Sequence, residues 1–222
     1  MTNIAIRSNS VSKVDNLDYI LLDGSGSMQS KWWPMLEAID TYIAGLKGAH
    51  VNSNITLQVF DSYDLEQTYR DTPITQWTTF AEAPIGANFT STPLYDAIGI
   101  MVRRLRDLNP QRCSILIVTD GEENASKSID EPTARSLLDW CRAHGWQVTF
   151  MGCDFNNNSQ ANALGADDTN SIGVQKALLS DAASAFAKKR ANHHLYGTDI
   201  NFTTDEKTQF GGYLAASSDA TR

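Results

Sequence analysis

Short apolar runs alternate with stretches of helical spacing along most of this chain, and that alternation leaves few folds open. Tyr19-Ile20-Leu21-Leu22 is unbroken by polar residues, and Met35, Leu36, Ile39, Ile43 and Leu46 follow from Trp32 at three-to-four spacing. A strand buried on both faces and then an amphipathic helix are predicted. Ile55 to Phe60 predicts a second strand, and Leu65 to Arg70, after Asp61-Ser62-Tyr63-Asp64, an antiparallel edge strand. From Pro93 the residues Leu94, Ala97, Ile98, Met101, Val102, Leu105 and Leu108 mark one helix face, stopped at Asn109-Pro110. Ser114 to Val118 is the next buried strand. Pro132 opens a helix carrying Leu137, Leu138 and Cys141, which ends near His144-Gly145, where glycine supplies a left-handed cap. Trp146 to Met151 predicts a further strand, Asn156 to Ser159 a loop, Ser171 to Val174 a short strand, and Ala177, Leu178, Ala182 and Phe186 a last long helix.

The expected architecture is α/β: a doubly wound, mainly parallel central sheet with one antiparallel edge strand and helices on both faces. One domain is expected over residues 14–191, with an N-terminal arm over 1–13. Residues 192–222 form a tail whose Tyr196, Phe202, Phe210 and Tyr213 suit packing back on the domain.

A chain of 222 residues, 41% apolar, buries such a core without disulfides or structural metals. Its 26 acidic and 18 basic side chains leave a net charge of -8, shared evenly between the two halves. That balance disfavours nucleic acid and anionic lipid as partners. Arg103, Arg104 and Arg106, like Lys188, Lys189 and Arg190, fall in the last turns of expected helices, where cations complement the dipole. Cys113, Cys141 and Cys153 are odd in number and lie in or beside apolar runs, as reduced core thiols do. The polar N-terminus lacks a leader pattern, and no segment approaches the roughly 18 apolar residues of a membrane span, so an intracellular, cytoplasmic protein is expected. His193 and His194 are adjacent, point apart in regular structure and are expected to be exposed in the tail.

In an open parallel sheet, ligands bind beyond the carboxyl ends of the strands. Asp23-Gly24-Ser25-Gly26-Ser27 follows the first strand there, and Thr119-Asp120-Gly121-Glu122-Glu123-Asn124 follows the strand at Ser114 to Val118. If the two strands are neighbours, Asp23 and Asp120 lie close, and their repulsion calls for a bound cation or a raised pKa. Ser25 and Ser27 add hydroxyls, aimed inward by the tight turn that Gly24 and Gly26 allow. The loop Thr90-Ser91-Thr92-Pro93 offers another hydroxyl at the start of its helix. Every donor is oxygen, which selects a hard dication, Mg²⁺ or Mn²⁺, over zinc, with Ca²⁺ less favoured because so few carboxylates are offered. Taken singly, Asp-Gly is a turn signal and Thr92-Pro93 a helix start. Their ordered coincidence carries the reading.

This set resembles the von Willebrand factor type A (VWA) domains, related to integrin I domains, in an intracellular prokaryotic or phage form, from about Tyr19 to Phe186. The resemblance implies a metal-ion-dependent adhesion site in which Ser25, Ser27 and Thr92 are hydroxyl ligands. It makes Asp23 and Asp120 the carboxylates that hold the metal directly or through water. Ser91 stands where the family often has glycine, which keeps Thr90 as an alternative to Thr92. The implied function is capture of a protein partner by one Asp or Glu that completes the metal's coordination. An isolated carboxylate suits this acidic chain better than a broadly acidic partner.

Trp32 and Trp33 are expected to divide the work, one buried against the sheet and the other near the metal face. A metal-dependent hydrolase is the alternative from the same residues, and an assembly component a third reading. Ser25 occupies the position where a haloacid-dehalogenase-like enzyme needs its second aspartate, and no phosphate loop, dinucleotide fingerprint or GxSxG elbow is present. Glu122 and Glu123 are the nearest candidates for a general base, and both suit a solvated loop.

Overall fold

The structure, a computed structural model, describes residues 15–65, 67–153 and 158–211. The expected N-terminal arm, Asn156, Asn157 and Tyr213 lie outside them. Strand β1 (Asn16–Asp23) leads through a 3-10 turn over Gly26–Lys31 into α1 (Trp32–Gly48), then β2 (Asn54–Phe60) and β3 (Gln67–Pro73). Next come α2 (Leu94–Leu108), β4 (Arg112–Val118), α3 (Glu131–Ala143) and β5 (Gln147–Cys153). The chain continues through α4 (Asn158–Ala163), β6 (Ser171–Val174), α5 (Leu179–Tyr196) and α6 (Thr204–Gln209).

The six strands form one sheet in the order β3-β2-β1-β4-β5-β6, with β3 alone antiparallel. β1 is central, and the order reverses between it and β4, which is where such sheets open a crevice. Strand side chains alternate between the two faces. Ile20 and Leu22 join the core formed with α1 and α5, whereas Leu17, Tyr19 and Leu21 join the core formed with α2 and α3. Both faces of β1 are therefore dry, which is why its sequence shows no polar alternation. Tyr42 of α1 stacks on Phe186 of α5, with ring centroids 4.9 Å apart.

Helix ends follow local chemistry. Asn109 takes the left-handed conformation that stops α2 (φ 42°), and Gly145 does so just after α3 (φ 75°). The Asp130 side chain accepts the Thr133 N–H at 3.0 Å, capping α3 ahead of Pro132.

Several expectations shift. The edge strand is Gln67–Pro73 rather than Leu65 to Arg70, because the buried Asp61 carboxylate gathers the N–H groups of Tyr63 and Asp64 at 2.8 and 3.0 Å. That side-chain turn holds the chain out of the ladder for several residues. Asn158 and Ser159 belong to α4, not to a loop. α5 runs on to Tyr196, past the expected boundary at 191, and is stopped by Gly197 (φ 70°). His193 and His194 are thus half-buried in its last turn instead of exposed in a tail. Beyond it, Ile200, Phe202 and Phe210 are buried in the α1/α5 core, while Tyr196 is exposed.

Arg190 is the largest departure. It is a core residue, not a surface cation at a helix end. Its guanidinium pairs with Asp18 of β1, Nε to Oδ1 at 2.8 Å and Nη2 to Oδ2 at 3.3 Å. Tyr42 and Ser53 hydroxyls donate to the same carboxylate at 2.7 and 2.5 Å. Among the described residues no helix is long and apolar enough to cross a membrane, and all three cysteines are buried and outside any disulfide.

Candidate metal centre

β1 ends at Asp23, whose side chain is fully buried at the carboxyl edge of the sheet beside β4. Thr119, just past β4, donates its hydroxyl to Asp23 Oδ2 at 2.7 Å, and the Ser25 N–H donates to Oδ1 at 2.8 Å. No cationic side chain of the described residues pairs with it. Burial pushes the Asp23 carboxyl up to about 6, against the lowering effect of the Thr119 and Ser25 hydrogen bonds, and the charge of Asp120 adds to the rise.

After Asp23 the backbone must pass very close to two other loops. A Cβ on Gly24 would stand 2.9 Å from both Ala87 Cβ and Val59 Cγ1, so only glycine fits. The Gly24 N–H donates to Phe60 O and the Gly26 N–H to Thr90 O, each at 2.8 Å. Ser25 and Thr90 form an isolated parallel bridge. Sheet pairing thus continues past β1 into the loops and draws the middle loop beside the first. The middle loop is in turn clipped to the third, since the Thr92 N–H donates to Asn124 Oδ1 at 3.0 Å and the Asn124 N–H to Thr92 O at 3.1 Å.

Ser25 Oγ and Ser27 Oγ are 3.1 Å apart, and Ser27 Oγ donates to Asp120 Oδ1 at 2.5 Å. A Cβ on Gly121 would stand 3.3 Å from Ser27 Oγ, 3.3 Å from Thr92 Oγ1 and 4.0 Å from Asp23 Oδ2. One small space beside Gly121 is therefore walled by oxygens from all three loops. Asp23 and Ser27 of the first loop and Thr92 of the middle loop approach it, and Ser25 and Asp120 lie within hydrogen-bond reach of Ser27. Thr90 does not: its hydroxyl accepts the Ser62 N–H at 3.0 Å, on the β2 side.

The donor set fits a hard dication. It offers three hydroxyls and two carboxylates, and among the described residues no group of three or more His, Cys, Asp or Glu is placed to hold a metal. Asp23 is a buried carboxylate with only neutral donors, the situation a cation relieves.

Three residues escaped the sequence reading as parts of the site. Thr119 lies inside the Thr-Asp-Gly motif but serves as the holder of Asp23. Asn124 is the clip between loops. Lys31, whose ammonium pairs with Asp120 Oδ2, had no signal at all. Glu123 is fully engaged elsewhere: Oε1 accepts the Ala125 and Ser126 N–H groups at 2.8 and 2.7 Å, and Oε2 accepts the Tyr95 N–H at 3.0 Å. Glu122 is exposed. Of the tryptophans, Trp32 is buried and Trp33 is 54% exposed.

No family model matches the chain, and no curated protein matches it. Solved structures match its fold. A von Willebrand factor type A protein from Catenulispora acidiphila superposes with a TM-score of 0.61 at 15% identity, covering 81% of this chain and 43% of that one. The pilus adhesin SpaC from Lactobacillus rhamnosus GG, in its open conformation, gives 0.62 at 12%, covering 85% of this chain and 31% of the adhesin. The vWF domain of the type V pili tip protein Mfa5 from Porphyromonas gingivalis gives 0.55 at 13%, covering 87% of this chain and 99% of that domain. The fold is VWA-like, and the chain spans less than half of the first two proteins.

Proposed function

We propose that the space beside Gly121 binds Mg²⁺ or Mn²⁺ and that the bound ion captures an Asp or Glu of a protein partner. Ser25, Ser27 and Thr92 would hold it through their hydroxyls, with Asp23 and Asp120 supplying negative charge directly or through water. The observation that carries the reading is the approach of Ser27 Oγ, Thr92 Oγ1 and Asp23 Oδ2, from the first and middle loops, to the same side of Gly121 in the third. A dication held mainly by neutral hydroxyls keeps net positive charge and an open position, which one partner carboxylate fills. Buried charge-assisted contacts of this kind act as interface hot spots.

The surroundings support binding over catalysis. Glu123, one of the two candidate bases, is spent on backbone N–H groups instead of standing free to activate water. Trp33 and Tyr63, 54% and 82% exposed, follow β1 and β2 at the same edge of the sheet and offer aromatic surface around the site. Pilus adhesins and a pilus tip protein among the structural neighbours favour an interaction or assembly role. Burial of Cys113, Cys141 and Cys153 outside any disulfide is in keeping with an intracellular setting for this chain.

Titration with Mn²⁺, followed by electron paramagnetic resonance of the free ion, tests the site. One ion per chain is expected, lost in Asp23→Ala and Thr92→Ala with circular dichroism unchanged. Proteins retained on the immobilised chain in Mg²⁺ should then elute with EDTA, and a retained second copy of the chain would make assembly the role. Absence of Mn²⁺ binding, or retention that persists in EDTA, overturns the proposal.

A further inference from the structure

Asp120 already has a cation supplied by the chain. The Lys31 ammonium is paired with Oδ2 while Ser27 Oγ donates to Oδ1, so both oxygens of this carboxylate are engaged. The Asp120 side chain is fully buried and that of Lys31 only 15% exposed, so little water screens the pair. Lys31 is the last residue of the 3-10 turn over Gly26–Lys31. The segment that carries Ser27 to the site therefore carries a competing charge with it. Asp23, on the other side of the same space, has no such partner among the described residues.

We infer that Lys31 is an internal competitor of the metal: it neutralises Asp120 in the metal-free chain, and its removal tightens the binding of a dication. The inference rests on the reading of the site given under Proposed function. A dication drawn to Asp120 meets a like charge on the same carboxylate, in a place where repulsion is poorly screened. Lys31 must share Asp120 with the ion or leave it. Its four-carbon stem lets the ammonium swing away without moving the backbone. Trp33 lies two residues further on in the first turn of α1, so release of the ammonium alters the surface beside the site that a partner meets.

The test compares Mn²⁺ affinity, by paramagnetic resonance of the free ion, in the wild type, Lys31→Met, Lys31→Arg and the exposed-helix control Lys188→Met. Lys31→Met is expected to bind at least about tenfold more tightly, because a buried like charge is gone. Lys31→Arg keeps the charge and stays within about threefold of the wild type, and Lys188→Met does not change. A second readout is thermal: Mn²⁺ should raise the melting temperature of Lys31→Met by more than that of the wild type. Should the methionine variant fail to fold without metal, Lys31→Gln keeps the length and a hydrogen-bond donor while removing the charge. Equal or weaker binding by the folded neutral variant overturns the inference alone. Failure of both wild type and neutral variant to bind Mn²⁺ overturns the site with it.

Discussion

Asp18 and Asp23 stand near opposite ends of the same central strand, both removed from water, and their surroundings differ in one respect. Asp18 receives two hydroxyls and a buried guanidinium, so its charge is balanced within the fold. Asp23 receives a hydroxyl and a backbone N–H, and no cation of the described residues faces it. The chain had a route to neutralise a carboxylate in β1 and used it at one end only. A buried ion pair closed within the fold serves the fold, whereas a buried carboxylate left with neutral donors stays open to a charge from outside.

The largest effect expected from this contrast lies at Asp18. Arg190→Met leaves that carboxylate buried and unpaired, and urea unfolding should show a loss of about 3–5 kcal/mol. The double variant Asp18→Asn with Arg190→Met should recover most of it, since no charge is then stranded. A single variant as stable as the wild type would show that the two ends do not differ as described.

A smaller effect is expected at Asp23, and its sign depends on pH. The folded carboxyl titrates at about 6 against 3.8 for the ordinary group. A raised pKa means that its favourable contribution is complete below about pH 4 and is lost as the pH rises through 6. In chelator-treated protein the wild type should therefore lose about 2–3 kcal/mol relative to Asp23→Asn between pH 4 and pH 7. Saturating Mn²⁺ should remove that slope. Parallel stability curves for the two proteins in chelator would mean that Asp23 is already balanced.

The smallest contrast separates two threonines of one loop. Thr92→Ala should weaken Mn²⁺ binding by about tenfold or more, through loss of one ligand oxygen, while Thr90→Ala should leave it unchanged and cost at most about 1 kcal/mol of stability. Equal losses of affinity would put the metal nearer to the β2 side than the Gly121 space.

The sequence displays the parts of this molecule whose causes are local. Unbroken apolar runs mark β1 and β4 because both faces of each are buried, and the three-to-four spacing marks α1 and α2 because one face of each helix is dry. The closeness of the loops carrying Asp23, Ser25, Ser27, Thr92 and Asp120 was legible because each residue sits in a short motif at the end of a strand or the start of a helix, where topology brings them to one edge. What stayed hidden depends on distant partners. Arg190 reads as a helix-end cation until its partner 172 residues earlier is known, and Lys31 carries no signal until Asp120, 89 residues later, meets it. α6 had a signal that went unread: Thr203 and Glu206 form a reciprocal capping box at its start. The start of β3 was misplaced because Asp61 spends its carboxylate on nearby N–H groups, a choice its neighbours in sequence do not reveal.

The wall at Gly121 has a practical consequence. On that side the Ser27 and Thr92 hydroxyls face bare main chain, and one methyl group added there would sit 3.3 Å from each. Alanine at this position is expected to press Ser27 Oγ and Thr92 Oγ1 back by a few tenths of an ångström, with every donor and every charge kept in the chain. Such a chain would let an experimenter ask, inside a living cell, what is lost when the meeting point of the loops is crowded and no donor is removed.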